Sequence, residues 1–361
     1  MRAALLEQAP GELVIDEVTV NTPGPDEVLV QTSACGLCHS DLHIIEGKLP
    51  YRLPAVLGHE AAGVVQAVGS NVTEFAPGDH VVGCLSVFCG TCRECAIGNT
   101  FLCERRRSLE LTEAGESRLR RGDDPVTQMS GLGGFAEEML VHRNGIVKVP
   151  DELPLHLGAL LGCAVITGVG AVFNSAKVRP GSSVAVIGAG GIGLNIVQGA
   201  RLAGAERIIA VDLSADKLAL ATQFGATDVV DASEGDPVAV VMELTGGGVD
   251  HAFEAIGLPL TAGQAFGMIR PGRTAYLVGV PAFGANIELP GTAMTLSAKG
   301  LQGVFMGSNN FKRDIPMLAN LYLQGRLDLE TLVAAEITLD QVNDGYAAMQ
   351  RGGEARSVIV F

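Results

Sequence analysis

The sequence predicts an α/β protein in which a β-rich first half precedes a doubly wound parallel sheet. Three observations carry this reading. A short apolar run at residues 184–187 leads into a glycine-rich turn and then a stretch of helical period. Strand-like and helix-like segments then alternate as far as residue 280. The first 150 residues instead show short β-rich pieces broken by turn signals.

The glycine-rich turn comes first in the argument. Gly188, Gly190, Gly191, Ile192 and Gly193 follow the apolar run, and residues 194–203 continue at helical period. The next apolar run, 207–212, ends in Asp212, 19 residues after Gly193. Strand, G-x-G-x-x-G turn, helix, strand and acid together form a dinucleotide-binding pattern. Gly188 permits the tight turn. Gly190 lets backbone N–H groups approach a pyrophosphate at the positive end of the helix. Gly193 allows the helix to pack closely on the sheet. Asp212 can accept ribose hydroxyls and would repel a 2′-phosphate, so the pattern predicts NAD over NADP. Further strands are expected at 226–231, 249–254 and 273–280, with helices at 215–224 and 259–268.

In the first half, segments 27–33 and 61–68 read as strands, with turn signals at Pro23, Gly24, Pro25 and at Pro77, Gly78, Asp79. A compact β-rich domain of Greek-key or barrel type is expected. Residues 105–128 are polar and aperiodic, which predicts a long surface loop. The basic cluster Arg105, Arg106, Arg107, Arg118, Arg120 and Arg121 falls within it and reads as solvated. The apolar stretch 158–173 is too short and too glycine-rich for a membrane span and reads as buried structure.

Composition narrows the function. The 361 residues are 47% hydrophobic and 18% charged, enough for a substantial core and for two domains. A net charge of −15 opposes nucleic-acid binding, and the absence of Trp argues against base-stacking platforms. The amino terminus has no signal-peptide core, so the cytoplasm is the expected location.

Eight cysteines lie at 35, 38, 84, 89, 92, 95, 103 and 163. Cys89, Cys92, Cys95 and Cys103 have the spacing of a metal lobe, with Gly90 and Gly98 allowing the loop to curl. Four thiolates satisfy tetrahedral zinc and leave no open position, so the site would be structural. An iron–sulfur cluster and buried free thiols are the other readings. A second, dispersed set is Cys38, His59 and Cys163. Two thiolates and one imidazole would leave a fourth zinc position for water or substrate. Spacing alone does not join these three. A lone Cys163 in an apolar run would be only a small buried hydrophobe, as Cys35 and Cys84 are expected to be.

These motifs together resemble the zinc-containing medium-chain alcohol dehydrogenases. The likeness runs from residues 36–43 through Gly58, His59 and Glu60, the four-cysteine lobe, Gly162 and Cys163, Gly188 to Gly193 and Asp212, to the final segment 356–361. It implies a GroES-like catalytic domain at 1–164 with a structural-zinc lobe at 84–104. A Rossmann domain at 165–306 would follow, and 307–361 would return to the catalytic domain. It implies two zinc ions per chain, the catalytic one on Cys38, His59 and Cys163, and NAD as cofactor. Glu60 would assist ligand exchange behind the metal, and Asp41 would orient His59. Ser40 would take the proton from the alcohol and His43 would pass it outward. Thr167, Lys217, Val278, Val280 and Arg356 match cofactor contacts. His39 stands where many members carry arginine against the pyrophosphate, so cofactor should be held less firmly.

The resemblance further places Leu85, Met129, Phe305 and Val280 in or near the substrate pocket, which predicts a medium-sized apolar or aromatic alcohol. The glutathione-dependent formaldehyde branch carries acids where Leu49 and Tyr51 stand, although Arg107 matches one of its basic positions. The 105–128 insertion resembles that of dimeric members, so a homodimer is expected, paired near residues 292–306. Three other functions share parts of the pattern. They are a zinc-free quinone or enone reductase, a non-catalytic NAD-binding protein, and a nicotinoprotein that keeps its NAD and passes electrons to an external acceptor.

Overall fold

The computed structural model describes residues 1–351 and 356–361. The chain divides into two compact units, Met1–Cys163 with Asn309–Phe361, and Ala164–Ser308.

Among the described residues, the first unit holds a six-stranded and a seven-stranded sheet. The central strand of the larger sheet is Glu27–Gly36, antiparallel to Glu60–Val68 on one side and to Arg356–Val360 on the other. Val28 and Val30 point into the core while Gln31 is exposed, the period-two alternation of a strand with one wet face. Leu5, Leu6, Leu57 and Phe135 are fully buried in the same core.

The segment 105–128 departs from the expected surface loop. It contains a short helix at Arg106–Leu109 and a hairpin of Leu119–Arg121 with Asp124–Gln128, which pairs into sheet structure through Thr19–Val20 and Ala55–Val56. Leu119 and Val126 face each other and are fully buried. Strands of three and five residues are too short to show a period against polar flanks. Arg118 also corrects the reading of a solvated basic cluster, being 1% exposed. Its Nε donates to Glu27 Oε1 at 2.6 Å and its Nη2 to the carbonyls of Leu109 and Leu111, both at 2.9 Å. The guanidinium fork satisfies one carboxylate and two carbonyls at once, which is what makes burying it tolerable.

The second unit is a parallel sheet of β1 (Ser183–Ile187), β2 (Arg207–Asp212), β3 (Asp228–Asp231), β4 (Val249–Glu254), β5 (Ile269–Leu277) and β6 (Gly300–Gly303). Its order is β3-β2-β1-β4-β5-β6, so the order of the strands, all parallel, reverses between β1 and β4. Helices Gly191–Leu202, Ala215–Phe224 and Pro259–Met268 lie between strands. The expected strand at 273–280 instead begins at Ile269 and ends at Leu277. The N–H groups of Val278 and Gly279 turn away to donate to the Glu254 carbonyl at 2.8 and 2.9 Å. Among the described residues no single helix is long and apolar enough to cross a membrane, and the apolar stretch 158–172 is buried.

Candidate metal and cofactor sites

Cys89, Cys92, Cys95 and Cys103 converge in one lobe of the first unit, their sulfurs all within 4.8 Å of one another. The pairs Cys89–Cys95 and Cys92–Cys103 stand 4.0 Å apart. Zinc bonds of ~2.3 Å in a tetrahedron put sulfurs about 3.8 Å apart, so the donor set fits that ion. Gly90 and Gly98 adopt φ of +75° and +94° with open space around them, which lets the loop double back. The N–H groups of Thr91 and Cys92 donate to the Cys89 sulfur at 3.4 and 3.3 Å. Burial opposes ionisation of Cys89, but these bonds and the Thr91 hydroxyl bring its pKa down to about 6. Burial and the contact with Cys92 push Cys95 up to about 12.

The second group gathers Cys38, His59, Glu60 and Cys163, all buried and again within 4.8 Å. Strand register explains why residues so far apart in sequence meet. Gly36 pairs with Glu60, so the chain two residues past one strand lies beside the chain just before the other, bringing Cys38 to His59. Val358 pairs with Gly36 in the opposite sense, which brings Arg356 level with Cys38. Cys163 arrives by a close approach. A Cβ on Gly162 would fall 2.2 Å from the Gly83 carbonyl oxygen, so only glycine lets this turn sit against the end of strand His80–Gly83. Gly36 likewise leaves room for Glu60, whose Oε2 would be 2.6 Å from an added Cβ.

Asp41 lies in the first turn of helix His39–Ile45 and is fully buried. Its Oδ1 accepts from the Gly58 N–H at 3.0 Å and faces His59 Nδ1 at 3.2 Å. The other ring nitrogen, Nε2, is buried without a partner. Such a nitrogen beside two thiols is what a metal ligand looks like before the ion is added. The Cys163 contact, with help from Arg356 and His59, holds Cys38 well below the ordinary thiol range despite its burial. The same contact, together with burial, pushes Cys163 well above that range. Burial works against a charged His59, yet Asp41 and Cys38 raise it overall. Burial pushes Glu60 up to about 8 against the pull of Arg356. Arg356 Nη1 donates to Glu60 Oε1 at 2.5 Å and to the Leu37 carbonyl at 3.2 Å. Ser40 is half-buried, its oxygen 3.8 Å from Cys38 Sγ, and His43 lies one turn further along the same helix. His39 is exposed.

In the second unit the three motif glycines have distinct surroundings. Gly188 has φ of +94°, a conformation that side chains disfavour. Gly190 caps the helix with nothing within 4 Å of an added Cβ, so its backbone is open to a ligand. A Cβ on Gly193 would fall 1.7 Å from the Gly188 carbonyl oxygen, the close packing that the motif needs. Gly191 and Ile192 are half-buried in the first turn. Asp212 ends β2, with Oδ2 accepting from the Ala189 N–H at 2.7 Å and Oδ1 from Leu213 and Ser214 N–H at 2.8 and 3.1 Å. The carboxylate is thus held at the end of the strand beside the glycine turn. Lys217 is half-buried in the next helix, its N–H donating to Ser214 Oγ at 3.4 Å.

The remaining expected positions differ in burial. Thr167 is buried, with its hydroxyl 3.5 Å from Met306 Sδ. Val278 is buried, but Val280 and Phe305 are exposed. Leu85 is half-buried and Met129 belongs to the core of the first unit. Glu254 is a residue that sequence reasoning missed. It is fully buried at the end of β4, and its Oε1 accepts from the N–H groups of Ile256 and Gly257 and from the Thr261 hydroxyl, at 3.0, 2.7 and 2.7 Å. Its carbonyl holds Val278 and Gly279, so it organises both loops at that strand edge. An acid closing an apolar strand at the reversal point of the sheet was the available signal.

Comparison with known proteins agrees with this arrangement. Residues 24–151 match the alcohol dehydrogenase GroES-like domain and residues 191–320 the zinc-binding dehydrogenase domain. The chain is 40% identical to the NDMA-dependent alcohol dehydrogenase of Amycolatopsis methanolica, over 99% of this chain and 98% of that one. It is 36% identical to the geraniol dehydrogenase of Castellaniella defragrans, over 100% and 97%. Its structure matches that of benzyl alcohol dehydrogenase from Acinetobacter calcoaceticus with a TM-score of 0.95 at 35% identity, covering 100% and 99%.

Proposed function

The chain belongs to the zinc-containing medium-chain dehydrogenase family, and from that premise we propose that it oxidises an apolar or aromatic alcohol with NAD, reversibly. The observation that carries this reading is the buried set of Cys38, His59 and Cys163, with His59 Nε2 unpartnered and Ser40 beside it. These three residues would hold the catalytic zinc, and the lobe of Cys89, Cys92, Cys95 and Cys103 the structural one. Bound there, zinc supplies a Lewis acid that lowers the pKa of an alcohol hydroxyl to near neutrality.

The chain's own groups do the rest. Ser40 accepts the alcohol proton at its hydroxyl oxygen as it releases its own, and His43, on the same face of the helix, passes that proton outward. Asp41 keeps His59 in one tautomer and orientation. Glu60, with one oxygen tied to Arg356 and the other free, is the carboxylate that assists exchange of substrate and water. Gly188, Gly190 and Gly193 cradle the NAD pyrophosphate and Asp212 takes the ribose hydroxyls, so that NAD can accept the hydride. Thr167, Lys217, Val278, Val280, His39 and Arg356 are the further cofactor contacts. Leu85, Met129 and Phe305, all apolar, line the substrate side, in keeping with relatives named for geraniol and benzyl alcohol.

A second reading has its own support, because a relative at 40% identity is named for dependence on NDMA. In that version NAD stays bound and electrons pass to an external acceptor. We assign the active form as a homodimer, paired near residues 292–306, where Leu296 is exposed and β6 forms the edge of its sheet. One experiment addresses the function. Metal content is measured beside turnover of aliphatic, aromatic and terpenoid alcohols with NAD, with NADP, and with an artificial acceptor without added cofactor. Two zinc ions per chain and NAD-linked turnover are expected. One zinc per chain overturns the catalytic metal, and turnover with NADP alone overturns the role of Asp212. Turnover with the acceptor alone, with NAD released on denaturation, selects the second reading.

A further inference from the structure

Two complementary polar atoms are left unpartnered deep in the first unit. The hydroxyl of Tyr346 and Oδ2 of Asp41 are both buried, and neither has a hydrogen-bond partner. One can donate and the other can only accept. Tyr346 lies in helix Val342–Gln350 and is 4% exposed. Burying a hydroxyl with no partner is costly, whereas phenylalanine would fill the same space at no such cost.

A short chain of contacts connects the two. The Tyr346 ring meets the Phe135 ring edge-on, with centroids 6.3 Å apart. Phe135 packs on Gly58, where an added Cβ would fall 2.6 Å from Phe135 Cδ1. The Gly58 N–H donates to the other oxygen of Asp41. The Tyr346 helix also presses on Leu37, the neighbour of Cys38, where a Cβ on Gly345 would fall 2.6 Å from Leu37 Cδ2. Burial and then the Asp41 charge, ahead of Cys38, Cys35 and Glu60, push the Tyr346 phenol well above its usual range. Glu60 Oε2 and Gln128 Oε1 are also unpartnered acceptors, but the contacts through Phe135 and Gly58 lead from Tyr346 to Asp41.

We infer that Tyr346 is a positioning residue for the His59 ligand: its hydroxyl donates to one buried water that in turn donates to Asp41 Oδ2. Asp41 then has both oxygens tied, one through that water to Tyr346 and one to Gly58 and His59. With its second oxygen held, Asp41 cannot rotate about its side chain, and the imidazole it orients is fixed with it. This rests on the reading of Cys38, His59 and Cys163 as zinc ligands.

The test is a double-mutant cycle of Tyr346→Phe and Asp41→Asn on the full chain, read by chelator competition for each zinc. Tyr346→Phe keeps the ring and its contact with Phe135. It is expected to weaken the second zinc by about 3- to 10-fold, at or below the range for groups that orient a ligand. The four-cysteine zinc, which a merely structural change elsewhere would leave alone as well, serves as the internal reference. In the Asp41→Asn background the same change is expected to add no further loss. Cobalt substitution gives a second readout, with the visible bands of the second site shifted in Tyr346→Phe. Unchanged zinc affinity and spectrum in Tyr346→Phe overturn the inference, as does an equal loss in both backgrounds. If the wild-type chain binds only the lobe ion, the zinc reading fails. The water-bridged hydroxyl–carboxylate link is then judged by the same cycle in urea on the metal-free protein, where additive midpoint shifts overturn it.

Discussion

Replacing Gly190 by alanine should separate cofactor binding from folding. Gly190 sits at φ −85° and ψ −168°, which any residue can adopt, and nothing lies within 4 Å of an added Cβ. Losing a glycine cap costs a few tenths of a kcal/mol to about 1 kcal/mol, and a stiffer unfolded chain returns about 0.4–1 kcal/mol. The net change in stability should stay within about 1 kcal/mol. The methyl group nevertheless stands where a pyrophosphate must approach the backbone N–H groups. Loss of one or two charge-assisted hydrogen bonds, each about 1.5–3 kcal/mol, should weaken NADH about 100-fold. Gly193→Ala is the contrast. Its Cβ would lie 1.7 Å from a carbonyl oxygen that cannot move without the turn, so helix Gly191–Leu202 must retreat from the sheet. A loss on the order of 3 kcal/mol of stability is expected, with binding lost as well. Urea unfolding followed by circular dichroism, which suits a chain without Trp, and NADH fluorescence titration give both quantities. The reasoning is refuted if Gly190→Ala binds NADH within threefold of the wild type, or if it unfolds as easily as Gly193→Ala.

Three further outcomes are expected. Arg118→Met should cost about 3–5 kcal/mol in urea by leaving Glu27 buried without its guanidinium, and adding Glu27→Met should recover most of that; a loss under about 1 kcal/mol would contradict the buried pair. Cys95→Ser should lower the metal content by one ion per chain and open residues 89–103 to protease, as measured by metal analysis and limited digestion. His142 supplies a pH dependence. Burial, and then the charge of Arg118, lower its pKa to about 4, and its Nδ1 accepts from the Asn144 N–H at 3.0 Å. The folded value lies below the unfolded value of about 6.5, so the folded state binds fewer protons between them. The stabilisation is present above pH ~6.5 and is lost as pH falls toward about 4. Between pH 7 and pH 5 it should account for about 1 kcal/mol after allowance for solvent screening. His142→Asn keeps an acceptor for Asn144 and should reduce the urea stability difference between those pH values by that amount; an unchanged difference would contradict it.

Sequence reading succeeded where the determining contacts are local. The lobe cysteines span fifteen positions, so their spacing alone constrains them to one loop, and the structure brings their sulfurs together. The glycine turn, its helix and Asp212 likewise belong to one strand–helix–strand unit, and the strands on either side are found where alternation puts them. The reading failed where a short strand hides in polar surroundings, as at Leu119–Arg121, or where burial depends on a distant partner, as for Arg118 and Glu27, 91 positions apart. Tyr346 and Glu254 were invisible for the same reason: each takes its meaning from what it faces.

The group of Cys38, His59 and Cys163 shows the boundary most clearly. That Cys38, His59 and Cys163 are metal-ligating types could be read directly, and a resemblance could join them. Their convergence itself is produced by the antiparallel register of Gly36 with Glu60 and by the seating of Gly162 on Gly83. Register is set by which faces of paired strands bury apolar side chains, a property of the whole sheet rather than of any segment. A chain can therefore state its ligands and its cofactor loop locally, while the distances among residues a hundred positions apart arise only when the sheets close on a common core.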